Sequence, residues 1–180
     1  MDPKARKKRS KLKKFRDIQM ELKRWKIMDK IFLISLALMV IFAYVDFKQV
    51  ETIRNIDSDS SKWDIYWAGQ QPATLMMWTI VLIAIGIIWF LIKQDLSEAV
   101  ALAVTPLILL YTGVQDIIYF VFDKGSFAQS LCWADKIPTV RIISDWFGEA
   151  CPSQLAFYLS AVIGIIAAYY TYKFFKTRKW

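Results

Sequence analysis

Four apolar stretches, each long enough to cross a lipid bilayer, constrain the fold of this chain more than any other feature. A hydrocarbon core of about 30 Å requires about 20 helical residues. The stretches run over about 28–47, 73–92, 96–122 and 154–175. Hydrophobic residues make up 56 % of the 180 residues, above the roughly 45–50 % of soluble domains. The sequence therefore predicts an all-α integral membrane protein, folded as a four-transmembrane-helix bundle.

The distribution of charge predicts on which side of the membrane the termini lie. Thirteen of the 24 Lys and Arg residues fall within the first 30 positions, against four acidic residues there. The C-terminal tail is also basic, whereas the predicted outer loops 48–72 and 123–153 each hold one more acidic than basic residue. Because Lys and Arg are enriched in cytoplasmic segments, we expect four crossings of the cell (plasma) membrane with the N and C termini cytoplasmic.

The chain divides into a basic amphipathic cytoplasmic arm (1–27), a transmembrane domain (28–176) and a basic tail (177–180). Apolar residues recur every three or four positions in the second half of the arm, which predicts an amphipathic helix. Three partners are open for the arm: anionic inner-leaflet lipids, an acidic protein and, least expected because no binding module accompanies it, nucleic acid. A site for anionic lipid or a partner protein is predicted at Lys4, Arg6, Lys7, Lys8, Arg9, Lys11, Lys13 and Lys14.

The third stretch carries polar residues that would form one stripe along a continuous helix. We expect Pro106 to kink this helix, because proline removes a backbone donor, and Glu98 to be a first-turn acid with Ser97 as the helix cap. Asp116 needs a partner or water. It is either a functional group or a structural one, bonded to another helix or to a loop cation such as Arg141. The stripe comprises Glu98, Thr105, Thr112, Gln115, Asp116 and Tyr119.

Small residues in the fourth stretch predict a close helix–helix contact. Ser160, Gly164 and Ala168 are spaced by four, which allows two helices to approach closely in lipid. The sequence does not decide whether the second helix belongs to the same chain or to another subunit.

The second outer loop is flanked by Cys132 and Cys151, which would face an oxidising compartment. A structural disulfide, two free thiols and a redox pair are all open, although neither residue lies in a C-x-x-C motif. Within this loop, the spacing of Val140, Ile143 and Phe147 predicts a short interfacial helix with those residues on its membrane face.

Several function classes are excluded by composition. The chain has no histidine, which excludes His-ligated haem, His-based metal sites and Ser-His-Asp triads. We expect no catalytic residue, no metal and no cofactor. The leading hypothesis is a non-catalytic subunit or accessory component of a larger membrane protein complex, in contact with lipid and other membrane subunits.

Two alternatives remain. One is an oligomeric channel or transporter that uses the polar stripe of the third stretch. The other is an enzyme that acts on a lipid at the outer leaflet, with Asp116 as acid or base and Tyr111 or Tyr119 assisting.

Overall fold

The computed structural model describes residues 30–52, 63–123 and 131–177, with the backbone alone for 63–71 and 176. The predicted arm lies outside these residues, as do 178–180 of the predicted tail. The described residues are helical and contain no strand. Their elements are α1 (Lys30–Thr52), α2 (Trp63–Lys93), α3 (Leu96–Tyr111), α4 (Val114–Asp123), a 3-10 helix (Cys132–Lys136), α5 (Pro138–Phe147) and α6 (Gln154–Thr177).

Three described helices are individually long and apolar enough to cross a bilayer: α1, α2 from Pro72 onward and α6 as far as Phe175. The third predicted stretch is divided into α3 and α4, which meet at an angle of 62°. Together they meet the same criterion, so the helices provide three crossings, or four if the bent pair is a single span. The all-helical fold of the described residues is thereby confirmed, with three or four helices that could span a membrane.

The predicted ends of the stretches agree with the structure except around the first outer loop. There α1 continues to Thr52 and α2 already begins at Trp63, passing through Pro72. Hydropathy marks where a segment leaves the hydrocarbon, but a helix whose backbone bonds are satisfied internally continues into water. The predicted loop 48–72 is therefore partly helical at both of its ends.

Aromatic and aliphatic side chains close the helices into a bundle. The rings of Phe42 on α1 and Trp78 on α2 stack with centroids 3.9 Å apart, and Phe32 on α1 lies 5.4 Å from the ring of Tyr172 on α6. On the other side, α3 packs against both α2 and α6. The centre of the bundle includes the fully buried Met39, Leu82, Leu109 and Leu110.

A glycine separates α3 from α4. Gly113 has a φ of +78°, a left-handed conformation that costs glycine little. A Cβ at this position would also lie 3.2 Å from the ring of Phe157. Pro106, where a kink is predicted, lies inside α3, whose helical assignment continues through it. The 62° bend lies further along the chain, where the left-handed residue interrupts the helical hydrogen bonds.

Two hydroxyl groups from other helices bond the backbone carbonyls that the break releases. Thr139 Oγ1 of α5 lies 2.8 Å from the Tyr111 carbonyl oxygen, and Ser160 Oγ of α6 lies 3.0 Å from that of Thr112. The two hydroxyl oxygens are themselves 2.6 Å apart. Because each hydroxyl carries one proton, two of these three hydrogen bonds exist at a time, and together they join α3, α5 and α6.

The segment around α5 is tied to the start of α6. The Cys132 and Cys151 sulfurs lie at disulfide distance, with Cα atoms 4.5 Å apart. Ser153 Oγ accepts from the Ala156 N–H at 3.3 Å and caps α6. The Glu149 carboxylate accepts from the Ser153 N–H at 2.9 Å, and its hydrogen bonds with Ser153 lower the pKa of Glu149.

We predict that Ser160→Ala destabilises the protein by about 0.6–2 kcal/mol, because a buried carbonyl at the break loses a donor. The measurement is unfolding of the purified protein in mixed micelles with increasing denaturing detergent. Thr177→Ala is the matched control, since the exposed Thr177 hydroxyl bonds only the nearby Phe174 carbonyl. Equal stability of the Ser160→Ala variant and the parent would contradict the role of the hydroxyl.

Candidate functional site

Asp46 of α1 forms the centre of a buried polar contact among three helices. Its carboxylate accepts a hydrogen bond from Trp78 Nε1 on α2 at 3.3 Å and another from Gln115 Nε2 on α4. Trp78 is 9 % and Gln115 4 % exposed, so both donors are held by packing. The contact connects the first apolar stretch to the short helix that follows the break.

A second carboxylate lies beside this contact. Asp116 is half-buried in the first turn of α4 and close enough to Asp46 for the two charges to repel each other. Among the described residues, neither carboxylate forms an ion pair with Lys or Arg. The expected partner Arg141 instead pairs with Asp135 at 2.8 Å and Asp145 at 3.0 Å.

The carboxylate pair belongs to a larger polar layer to which every span contributes. Thr79 Oγ1 of α2 lies 3.0 Å from the Tyr111 hydroxyl of α3, and the Tyr111 carbonyl continues the layer to α5 and α6. The layer lies near one end of each single-helix span. With a rise of about 1.5 Å per residue, the distance along the helix to its other end is about 22–26 Å from Asp46, from Trp78 and from Ser160. We call this set the polar layer: Asp46, Trp78, Thr79, Tyr111, Gln115, Asp116, Thr139 and Ser160.

Five of the six members of the predicted stripe are buried, and three of them have side-chain hydrogen bonds within the bundle. Glu98 is 5 % exposed and accepts from Trp89 Nε1 at 3.2 Å. The Thr112 hydroxyl lies 2.7 Å from the carbonyl of Ile108 in its own helix. The 62° bend falls between Thr112 and Gln115, so the stripe does not follow one straight helix. The full stripe is Glu98, Thr105, Thr112, Gln115 and Tyr119, each buried, and the half-buried Asp116.

Glu98, Tyr119 and Thr105 of the stripe differ in their surroundings. The cap of α3 is Asp95 rather than the predicted Ser97, because the Asp95 carboxylate accepts from the Glu98 N–H at 3.0 Å. Tyr119 packs against Ala43 and Val50 of α1. Thr105 is fully buried, and its hydroxyl bonds none of the described residues.

The small residues of α6 pack inside the chain. Ser160, Gly164 and Ala168 are all buried, and a Cβ at Gly164 would overlap the Thr112 side chain. The helix that approaches this face is therefore α3 of the same chain, at its broken end. The sequence left open whether the second helix belongs to this chain or to another subunit. In the structure, the helix packed against these small residues belongs to the same chain.

Asp46 and Trp78 were missed in the analysis of the sequence. Asp46 lies within the predicted first stretch, 28–47, so it meets the same criterion of an ionisable residue inside an apolar segment that singled out Asp116. It lies one residue before the predicted end of that stretch. No sequence signal pairs it with Gln115, 69 residues away.

Comparison with protein-family models, curated proteins and solved structures finds no match.

Within the described part of the chain, no third carboxylate or thiol joins Asp46 and Asp116. A pair of carboxylates can hold a proton or a cation. The enzyme hypothesis places Tyr111 or Tyr119 beside Asp116. The Tyr111 hydroxyl lies 3.0 Å from Thr79 Oγ1, and Tyr119 is 6 % exposed.

We predict opposite effects for the same substitution at the two carboxylates. Asp46→Asn should lower the free energy of unfolding by about 1–3 kcal/mol, because Trp78 and Gln115 donate to different oxygens of Asp46 and the asparagine NH2 group would face one of these donors. Asp116→Asn should leave it unchanged or raise it, because a like charge is removed. Both variants are compared with the parent in mixed micelles. A loss of stability in Asp116→Asn equal to that in Asp46→Asn would contradict the arrangement.

Proposed function

We propose that this chain is a non-catalytic subunit or accessory component of a larger membrane protein complex. The observation that carries the proposal is the burial of the polar residues of the third stretch. Glu98, Thr105 and Thr112 are between 0 and 5 % exposed, so they face their own bundle. A path between identical protomers would need these side chains on the outer surface, which disfavours the oligomeric channel.

The proposal includes the topology expected from charge. If α3 and α4 form one bent span, the segments after α1 and after α4 lie on one side of the membrane and both termini on the other. Basic ends then favour a cytoplasmic location for both termini in the cell membrane. The basic arm would bind anionic inner-leaflet lipid or an acidic partner from that side.

The partner surface in this proposal is the outward face of α2. Of the apolar windows of the three single-helix spans, that of α2 is 17 % buried, against 33 % in α1 and 39 % in α6. Two methionines lie on this face, and their flexible side chains adapt readily to a neighbour. The partner would be a transmembrane helix of another protein. Exposed residues of the face are Met76, Met77, Ile80, Ile83, Ile87 and Leu91.

We predict that purification in mild detergent, followed by mass spectrometry, yields stoichiometric partner proteins with the parent chain. Ile87→Trp on α2 should reduce their recovery, because added bulk on the outward face blocks a neighbouring helix. Ile163→Trp is the matched control, since Ile163 is similarly exposed on α6 (49 % against 56 %). A chain that is monodisperse and alone in every detergent tested would count against the proposal.

A second candidate function is the binding and movement of a proton or monovalent cation at the carboxylate pair. It is favoured by the position of Asp46 and Asp116 beside a broken helix, a feature of many transporters. The fully buried Met39, Leu82 and Leu109 belong to the same core cluster as Trp78, so a path through one protomer would require them to separate.

For this candidate, we predict that Asp116→Asn abolishes ion or proton flux into liposomes that contain the purified chain. A variant with unchanged flux, or a parent with none, would exclude it. Leu91→Ala, on the outward face of α2, is the control for reconstitution.

A further inference from the structure

Helix α5 is apolar on two opposite sides. Val140 and Ile143 are 0 and 5 % exposed and pack into the protein. On the opposite side, Ile142 is 51 % and Trp146 78 % exposed. Val140 and Ile143, two of the three residues of the membrane face predicted from the sequence, are therefore turned inward, whereas the third, Phe147, is 51 % exposed. The outward side combines the apolar Ile142 and Trp146 with the charged Asp145, whose side chain is 52 % exposed. Aromatic, apolar and charged side chains together on one exposed side are typical of a helix at a membrane–water interface.

The hydrogen bonds at the two ends of α5 determine its depth. At its start, Thr139 lies 2.6 Å from Ser160, which is six residues into α6. Just after its end, Glu149 bonds the N–H of Ser153, the cap of α6. The helix thus lies alongside the first two turns of α6, over about 9 Å of that helix. It does not stand above the end of the span.

The outward side of α6 over these turns has the same apolar character. Leu155, Tyr158 and Val162 are 60, 43 and 52 % exposed, as expected for side chains that face lipid. The charged residues of α5 lie next to Ile142 and Trp146 on its outward side, where Arg141 joins Asp135 and Asp145 in one ion-paired group. Aromatic residues next to such a polar rim are typical of the region where headgroups meet acyl chains.

We propose that α5 is an interfacial anchor whose Ile142 and Trp146 side chains insert into the leaflet that surrounds the first two turns of α6. The partner is the phospholipid surface, with acyl chains around the two side chains and headgroups beside the Arg141 group. Under the topology in the proposed function this is the outer leaflet. The anchor itself depends only on the position of α5 beside α6.

The test is the depth of spin labels on the full chain in phosphatidylcholine–phosphatidylglycerol liposomes. With Cys132 and Cys151 in a disulfide, one added cysteine is labelled selectively, in the separate variants Ile142→Cys, Trp146→Cys and Asp145→Cys. Collision with oxygen, which partitions into lipid, is compared with collision with a water-soluble nickel chelate. Asp145, 52 % exposed on its side chain, is the matched control in the ion-paired group.

The oxygen-to-nickel collision ratio at positions 142 and 146 is expected to exceed the ratio at 145. Nickel accessibility at 142 and 146 equal to that at 145 would show that the side faces water. Shielding of both labels from both reagents would show that protein, such as a second copy, covers it. Either result overturns the anchor, whereas a failed search for partner proteins leaves it standing.

Discussion

The bundle depends on the supply of hydrogen-bond donors to one interrupted helix. Where the left-handed Gly113 ends α3, the carbonyls of Tyr111 and Thr112 lose helical partners in a region from which water is excluded, a loss worth several kcal/mol per group if uncompensated. Thr139 and Ser160 provide the donors. The hydroxyl of Ser160 reaches the break because Gly164, one turn further, lets α6 approach Thr112 closely. The hydrogen bonds at the break therefore depend on the close packing of the two helices.

Around the break, the polar groups fall into two sets. Most hydroxyl and amide groups of the third stretch bond the protein itself, as the Thr112 hydroxyl does in its own helix. The exception is the carboxylate pair, where Asp46 receives two donors and Asp116 adds a second negative charge without a described cation. The hydrogen-bonded hydroxyl and amide groups favour the role of a structural component. Ionic chemistry, if the chain has any, would take place at the carboxylate pair.

The helices were predictable because hydropathy reports directly on burial in hydrocarbon, and the ends of α6 show how well this works. The bend was not predictable. Proline is the usual cause of a kink, but Pro106 is accommodated within α3. The bend depends instead on the positive φ of Gly113, which no residue pattern specifies. Asp46 was missed for a different reason: its donors come from α2 and α4, and such contacts follow from the arrangement of helices. The side of α5 that faces the membrane was predicted wrongly for a similar reason. Helix α5 has apolar residues on two sides, and the sequence does not specify which side packs against the protein.

The order of the donors along the polypeptide has a consequence for biogenesis. Both hydroxyls that complete the break lie C-terminal to it in the sequence, on α5 and α6. Until α5 and α6 fold against α3, the carbonyls of Tyr111 and Thr112 must bond other groups or remain unsatisfied. The hairpin of α5 and α6 therefore completes a joint that the first three apolar stretches leave open.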